Sequence, residues 1–405
     1  MNRIDLPVKF CGIDFINPFL LAASPPSDSR EMTARSFDAG WAGAVLKTVS
    51  PIGNKTPLRY PMMSSLNPGG NMIGLHNIDL YSDKLYEEWM ADIAWLKQRF
   101  PDHRILLNIV GDTRDEWTTL VQKAEQAGAD LIEAGISCPQ GTVIEGEEKS
   151  DGWMVSQDAR LTEKVTRWTV ESAKSIPILV KITSLVTDIT SIARAVERGG
   201  AQGVCVIDSV EGIVGVDLGN YSPLPSVHGK GTHGGFTGRA IKPIALRCVA
   251  DVASSINIQV SGVGGIYTWQ DAVEFFLMGA TTLQVCTAIM HKGFGIIDHF
   301  LDGVSRYLDS KQISSVSEII GLGLSNIKSI ADLEIDTSVK STINKDLCVN
   351  CGLCYVACRD GGHMAIDFDL ERNVTIIEQK CVGCGLCAQV CPVPDCIAIE
   401  STSVG

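Results

Sequence analysis

Positive charge is scarce in this 405-residue sequence: 34 Lys and Arg stand against 47 Asp and Glu, a formal net charge of −13 at pH 7. That balance lacks the basic surplus that phosphate backbones and anionic membrane surfaces draw on, so nucleic acid and membrane partners are disfavoured. No uninterrupted apolar run is long enough to span a bilayer. The opening residues, MNRIDLPVKF, lack the basic, apolar and small-residue layout of a secretory signal, and a cytoplasmic protein is expected. A credible dinucleotide fingerprint is missing too. The G-x-G-x-x-G match at Gly229, Gly231 and Gly234 neither follows a strand directly nor opens an evident helix, so NAD(P)H is expected to bind another polypeptide.

Apolar residues, in contrast, make up 45% of the chain and charged ones 20%, enough to bury one large core and leave a small remainder. The fourteen cysteines are unevenly spread: Cys11, Cys138, Cys205, Cys248 and Cys286 are scattered, and nine crowd between Cys348 and Cys396. Such crowding points to metal chemistry rather than disulfides.

Up to about residue 310, short apolar β-branched runs alternate with longer amphipathic stretches, the pattern of strand followed by helix. The runs cover 18–24, 43–49, 105–111, 130–137, 177–183, 203–209, 258–262 and 282–287. Each is nearly continuously apolar, as parallel strands covered on both faces are, and the intervals have room for crossover helices. Eight such units close an α/β barrel of the TIM (β/α)8 type, where chemistry sits on the loops after the C-terminal strand ends. Those ends carry Ala23-Ser24, Lys47-Thr48, Ser137-Cys138-Pro139, Lys181, Asp208-Ser209, Gly264-Gly265 and Cys286-Thr287. Long loops at 50–83, 140–157 and 211–238 rise over the same face. The expected organisation is a barrel over 1–310, a connector over 311–340 and a small α+β domain over 341–405.

The tail reads Cys348-x2-Cys351-x2-Cys354-x3-Cys358, then Cys381-x2-Cys384-x2-Cys387-x3-Cys391-Pro392. This is bacterial ferredoxin spacing, in which three close thiolates hold one 4Fe-4S cube and the fourth ligand crosses to the other. Cys348, Cys351, Cys354 and Cys391 are therefore expected on one cluster, and Cys381, Cys384, Cys387 and Cys358 on the second. Zinc sites use C-x2-C pairs but not a doubled run of four. Gly352, Gly383 and Gly385 let the chain wrap a cube. Cys396 is left over and reads as a packed thiol.

Clusters pass single electrons, so a barrel carrying them needs a cofactor that exchanges single electrons with hydride, and flavin is the usual one. Phosphate sites in these barrels use the loops after strands seven and eight with a helix N-terminus, where Gly264-Gly265 and Cys286-Thr287 stand. Lys47 and Lys181 end strands two and five, where an ammonium is expensive to bury and beside a flavin stabilises the negative charge of the reduced ring. Snorkelling to solvent is the bland reading of each. Cys138 heads the strand-four loop, where a thiol can exchange a proton at C5 of an enone-like ring while flavin N5 handles hydride. A small buried hydrophobe is the bland reading of a cysteine, and it suits Cys205 and Cys286.

Asn17-Pro18-Phe19, Lys47-Thr48, Asn77-Ile78, Ser137-Cys138-Pro139, the glycine-rich stretch 229–235, Gln284-Val285-Cys286 and both cysteine runs resemble the dihydropyrimidine dehydrogenases, in particular the FMN and iron-sulfur subunit of the bacterial NAD-dependent form. The resemblance implies a dihydroorotate-dehydrogenase-like barrel with a C-terminal ferredoxin module that reduces uracil and thymine to their 5,6-dihydro forms. It also implies a hetero-oligomer with an FAD-containing, NADH-oxidising iron-sulfur subunit. Carried over residue by residue, the catalytic cysteine is Cys138. The FMN contacts are Ala23, Ser24, Lys47, Thr48, Lys181, Thr237, Gly238, Gly264, Gly265, Cys286 and Thr287. The substrate contacts are Asn77, Asp79, Gly135, Asp208 and Ser209.

Several of those last positions depart from the family. Gly135 replaces an Asn, Asp208-Ser209 replaces an Asn-Thr or similar pair, and Asp79 shortens a Glu; the loop 141–156 lacks the usual Gly-Met-Gly and carries Glu145, Glu147, Glu148 and Lys149. An amide both donates and accepts along a pyrimidine edge, whereas a carboxylate only accepts. Gly135 is expected to free space and Asp208 to seek an N–H. The competing readings are therefore the same chemistry on another cyclic amide, ureide or purine-like ring, and an electron-relay subunit without a substrate of its own.

Overall fold

A computed structural model describes residues 5–51, 58–137, 154–335 and 339–401. Eight parallel strands form a closed barrel: β1 Phe19–Leu21, β2 Gly43–Val49, β3 Arg104–Ile109, β4 Leu131–Gly135, β5 Ile178–Ile182, β6 Gly203–Val206, β7 Gln259–Val263 and β8 Ala280–Val285. Each pairs with the next in sequence, and β8 returns to β1 with Leu283 opposite Phe19. Every run expected from the sequence overlaps one of these strands, and those at 104–109, 259–263 and 280–285 reach one or two residues outside their runs. The strands stop short of several run ends, which leaves Ala22 to Ser24, Ser137, Asp208-Ser209 and Cys286-Thr287 on the rim.

The strands are buried almost throughout because helices cover them outside and side chains fill the lumen. Helix starts are set by polar side chains: Thr113 accepts from the Glu116 amide before Arg114–Ala127, and Thr268 from the Asp271 amide before Trp269–Leu277. Each such cap contributes about 1 kcal/mol. Trp41, Trp89, Trp117, Phe275, Phe276 and Phe300 are fully buried, and Phe19 of β1 stacks on Phe300 with centroids 5.2 Å apart. A hairpin, Val8–Phe10 with Ile13–Phe15, meets the N-terminal strand ends, where Cys11 donates its amide to Gln259 Oε1 at 2.7 Å. A ligand therefore has the C-terminal mouth to enter by.

Over that mouth lies a feature the sequence did not announce, a four-stranded antiparallel sheet of Met63–Leu66, Gly74–Asn77, Gly234–Thr237 and Val210–Gly212. It is built from the loops after β2 and β6. The glycines at 234 and 235 belong to its strands rather than to a nucleotide loop: a Cβ at Gly234 would sit 2.2 Å from the Asn77 carbonyl oxygen. This sheet brings Asn77 and Thr237 to the rim.

The chain divides into compact units at Ile327 and Lys328. Residues 311–327 pack on the first unit, with Val316 and Ile319 buried and the Gly321 amide donating to the Phe276 carbonyl at 2.9 Å. In the second unit, Val339–Ile343 pairs antiparallel with Ile397–Ser401, and Ile366–Phe368 with Val374–Ile376. Helices Leu353–Gly361 and Leu386–Gln389 lie within the two cysteine runs or overlap their ends, the first carrying Cys354 and Cys358 and the second Cys387. Among the described residues no helix is long and apolar enough to cross a membrane.

Candidate active site and cluster pockets

A cavity of about 930 Å³ opens at the C-terminal mouth, walled by the strand ends and by the antiparallel sheet. Ala23, Ser24, Lys47, Thr48, Lys181, Thr237, Gly238, Gly264, Gly265, Cys286 and Thr287 all line it, and so do Asn77, Asp79, Gly135, Asp208 and Ser209. Residues that lie as much as 264 positions apart, Ala23 and Thr287, thus face one space. Cys138 lies outside the described residues; Ser137, just before it, lines the cavity.

Neither lysine snorkels. Lys47 is buried against the Asp79 carboxylate, and Lys181 meets Glu133 Oε1 at 3.0 Å with both side chains buried. Burial alone would lower the Lys181 ammonium, but the charge of Glu133, joined by Cys205 and Asp208, overrides it and holds Lys181 above the ordinary lysine range. Glu133, on β4, is fully buried and accepts two more bonds: from Asn108 Nδ2 at 2.6 Å and, across the lumen, from Gln284 Nε2 at 2.7 Å.

That arrangement fixes how both amides point. A carboxylate only accepts, so each amide turns its NH2 to Glu133 and its carbonyl oxygen away. Asn108 Oδ1 and Gln284 Oε1 are buried and have no partner among the described residues, yet both side chains line the cavity. An unsatisfied buried acceptor costs about 1–3 kcal/mol, which a ligand bearing N–H groups relieves.

At the rim, Asp208 Oδ2 accepts from the Ser137 hydroxyl at 2.6 Å and Oδ1 from the Ser209 amide at 2.8 Å. Asn77 donates to the Gly235 carbonyl at 2.9 Å and accepts from the Asp79 amide at 3.2 Å. Thr287 donates to Thr237 Oγ1 at 3.0 Å, and Thr237 to the Leu75 carbonyl at 3.0 Å. The loop after β7 takes the left-handed conformation at Gly265 (φ 77°), and a Cβ there would lie 2.8 Å from the Lys242 backbone nitrogen, at the start of helix Lys242–Ala253. The helix after β8, Thr287–Lys292, is short. Cys286 sits one residue past β8 and lines the cavity rather than lying within the strand; burial raises its thiol.

In the second unit, Cys348, Cys351, Cys354 and Cys391 line one pocket, and Cys358, Cys381, Cys384 and Cys387 line another. The fourth cysteine of each run thus crosses to the other's pocket. Gly352, Gly383 and Gly385 adopt left-handed φ of 77°, 65° and 83° as the chain wraps. Donors face the sulfurs: the Ser341 amide to Cys381 at 3.5 Å and the Ala365 amide to Cys358 at 3.3 Å. Burial would raise the Cys381 thiol, but backbone hydrogen bonds from Ser341 and Gly383 outweigh it and lower it toward the thiolate that binds metal. Among the described residues no group of three or more His, Cys, Asp or Glu closes on a point as a single ion requires.

Residues 5–308 match the family described as dihydroorotate dehydrogenase. Over 368 residues the chain is 38% identical to the NAD-dependent dihydropyrimidine dehydrogenase subunit PreA of Escherichia coli, covering 90% of this chain and 88% of that one. The chain belongs to the dihydropyrimidine and dihydroorotate dehydrogenase family. Residues 341–399 match the 4Fe-4S dicluster domain. The chloroplastic dihydropyrimidine dehydrogenase (NADP(+)) of Arabidopsis thaliana is 31% identical over 81% of this chain and 79% of its own length. For the dihydroorotate dehydrogenase B (NAD(+)) catalytic subunit of Pyrococcus abyssi the figures are 35%, 79% and 99%. The protein is an oxidoreductase acting on CH–CH bonds.

Against this family background the departure at 135 has a structural reason that differs from the expectation. Gly135 does not free space: a Cβ there would lie 2.6 Å from Asn108 Oδ1, so the amide of β3 already fills that volume. Gly135→Asn is expected to displace Asn108 and break its bond to Glu133, weakening flavin retention rather than restoring a substrate contact; wild-type flavin content in that variant would contradict this. Sequence reasoning missed Glu133 and Asn108, and it named Gln284 only within a motif, without the bond to Glu133. The available signal was polar residues inside otherwise apolar barrel runs, which must find partners in the lumen.

Proposed function

We propose that this chain reduces the 5,6 double bond of a pyrimidine, uracil or thymine, at an FMN site in the barrel mouth, with electrons relayed through two 4Fe-4S clusters from an NADH-oxidising FAD subunit. The observation that carries the reading is the cavity floor, where two buried lysines stand beside two amide oxygens that lack partners among the described residues. These groups fit a planar, N–H-bearing ring system that accumulates negative charge on reduction, and Gly264 and Gly265 line the same cavity, packed without side chains against Ala245 and Lys242. Bound there, a flavin would supply hydride transfer coupled to single-electron exchange. Lys47 and Lys181 would hold positive charge against the reduced ring, Asn77 would orient the substrate amide, and Cys138 would deliver the proton at C5. The relative from Escherichia coli is named as a subunit, which supports a partner that handles NAD.

We read Asp208 as a residue that orders the rim rather than one that selects a different ring, since its Oδ2 accepts from the Ser137 hydroxyl and its Oδ1 from the Ser209 amide. Asp208→Asn is expected to change uracil and thymine kcat/KM by less than about tenfold, within the roughly 1–1.5 kcal/mol of one ordinary hydrogen bond. A hundredfold gain on uracil would show that the native carboxylate selects another ligand.

The test is turnover of the full chain with a panel of pyrimidines, hydantoins and purines, using reduced viologen as donor. Reduction of uracil or thymine ahead of the others is the expected result; preference for a hydantoin or purine, or no turnover of any ring, would overturn it. The isolated chain is also expected to hold one FMN yet oxidise NADH poorly. Rapid NADH oxidation without a partner would contradict the assignment of that step to another subunit.

A further inference from the structure

The tail holds nine cysteines, and the crossed pattern uses eight. The ninth, Cys396, lines the same pocket as Cys348, Cys351, Cys354 and Cys391 and is only 3% exposed. It shares that lining with Cys391, the ligand that crosses from the second run. The hydrogen bond of its thiol is long, 3.7 Å to the Asn344 carbonyl oxygen, a weak tie for a sulfur donor. The backbone is held more firmly. Asn344 donates to the Cys396 carbonyl at 2.8 Å, and the next residue opens the strand Ile397–Ser401. The thiol therefore stands at a fixed strand end in the pocket that the four ligand cysteines line. The second pocket has no fifth cysteine among its described lining residues.

We infer that Cys396 is a reserve ligand of the first pocket, able to take the iron that Cys391 holds. The inference rests on reading that pocket as a 4Fe-4S site. In the exchange the iron–sulfur bond to Cys391 breaks and one to Cys396 forms, while the proton leaves the Cys396 thiol for the departing Cys391 sulfur. No electron is gained or lost, and the count of thiolate ligands stays constant. The shared pocket keeps that proton transfer local, and the strand end holds the incoming thiol in place. The first pocket thus tolerates loss of one ligand that the second does not.

Iron, acid-labile sulfide and the EPR spectrum of the dithionite-reduced full chain, purified without oxygen, test this. The unmodified chain is expected to hold about eight iron atoms. Cys391→Ala is expected to keep about eight and the unmodified spectrum, whereas Cys391→Ala with Cys396→Ala loses iron toward about four, as Cys384→Ala does in the second pocket. Because an alanine can disturb folding, Cys391→Ser serves as a near-isosteric second variant. It is expected to keep the all-thiolate spectrum, and Cys391→Ser with Cys396→Ala to shift to that of an oxygen-ligated cluster. If Cys391→Ala loses as much iron as Cys384→Ala, or the Cys391→Ser spectrum shifts equally with and without Cys396, the reserve-ligand inference fails and the cluster reading stands. An unmodified chain that binds zinc or no iron would overturn both.

Discussion

Replacing Cys138 with alanine is expected to leave FMN bound and reducible by viologen while cutting pyrimidine turnover about 10²- to 10⁴-fold, the range for loss of a positioned general acid. The split between the two readouts follows from where the supporting groups lie. The charged and amide groups beside the cavity belong to β2, β3, β4, β5 and β8, none of which includes position 138. The rim at β4 ends in Ser137, whose hydroxyl is held by Asp208 at 2.6 Å, so the chain leaves the barrel beside the cavity. Other thiols do not substitute readily: Cys205 is buried in β6 and pushed well above its ordinary value, first by burial and then by the charge of Glu133, and Cys286, which lines the cavity, is also raised by burial. Turnover equal to the unmodified chain would return Cys138 to the role of a small apolar filler.

Glu133→Gln is expected to lower stability by about 3–5 kcal/mol, the usual cost of stripping one partner from a buried ion pair, and to release most of the flavin. Two effects add. Lys181 loses the charge that overrides its burial, and one of the two amides at Asn108 and Gln284 meets an NH2 instead of an oxygen and must turn over. A flipped amide presents a donor to the cavity where an acceptor stood. Denaturant midpoints and flavin content of the purified chain check this; unmodified values for both would remove Glu133 from the account. The pH dependence has a definite sign. Lys181 binds its proton more tightly folded than unfolded, so the contribution of the pair is fully present below the unfolded lysine pKa of about 10.4 and is lost as pH rises through the higher folded value. At neutral pH it is constant.

The barrel was legible because parallel strands covered on both faces must be continuously apolar, and such runs are visible one at a time. The crossing of Cys358 and Cys391 was legible because ligand spacing around a cube constrains the chain so tightly. The sheet over the mouth was not, since Gly74–Asn77 and Gly234–Thr237 are short, glycine-rich and half polar, and their pairing spans more than 150 positions. The role of Gly135 was hidden for a related reason: its constraint comes from Asn108 on the neighbouring strand, and a residue-by-residue comparison with relatives sees only the missing side chain. Glu133 left a trace, an acid inside the apolar run Leu131–Gly135, but its partners Lys181 and Gln284 come from other strands.

The most direct test of a pyrimidine-reducing flavin site is a single-turnover experiment. The full chain, reduced without oxygen by one equivalent of viologen per electron site and then freed of excess donor, is mixed with thymine while flavin absorbance is followed and the quenched mixture is analysed. The account predicts flavin reoxidation in step with formation of 5,6-dihydrothymine, and neither event in Cys138→Ala on the same timescale. Flavin that stays reduced in the presence of thymine and uracil, yet reoxidises with another cyclic amide, would contradict it.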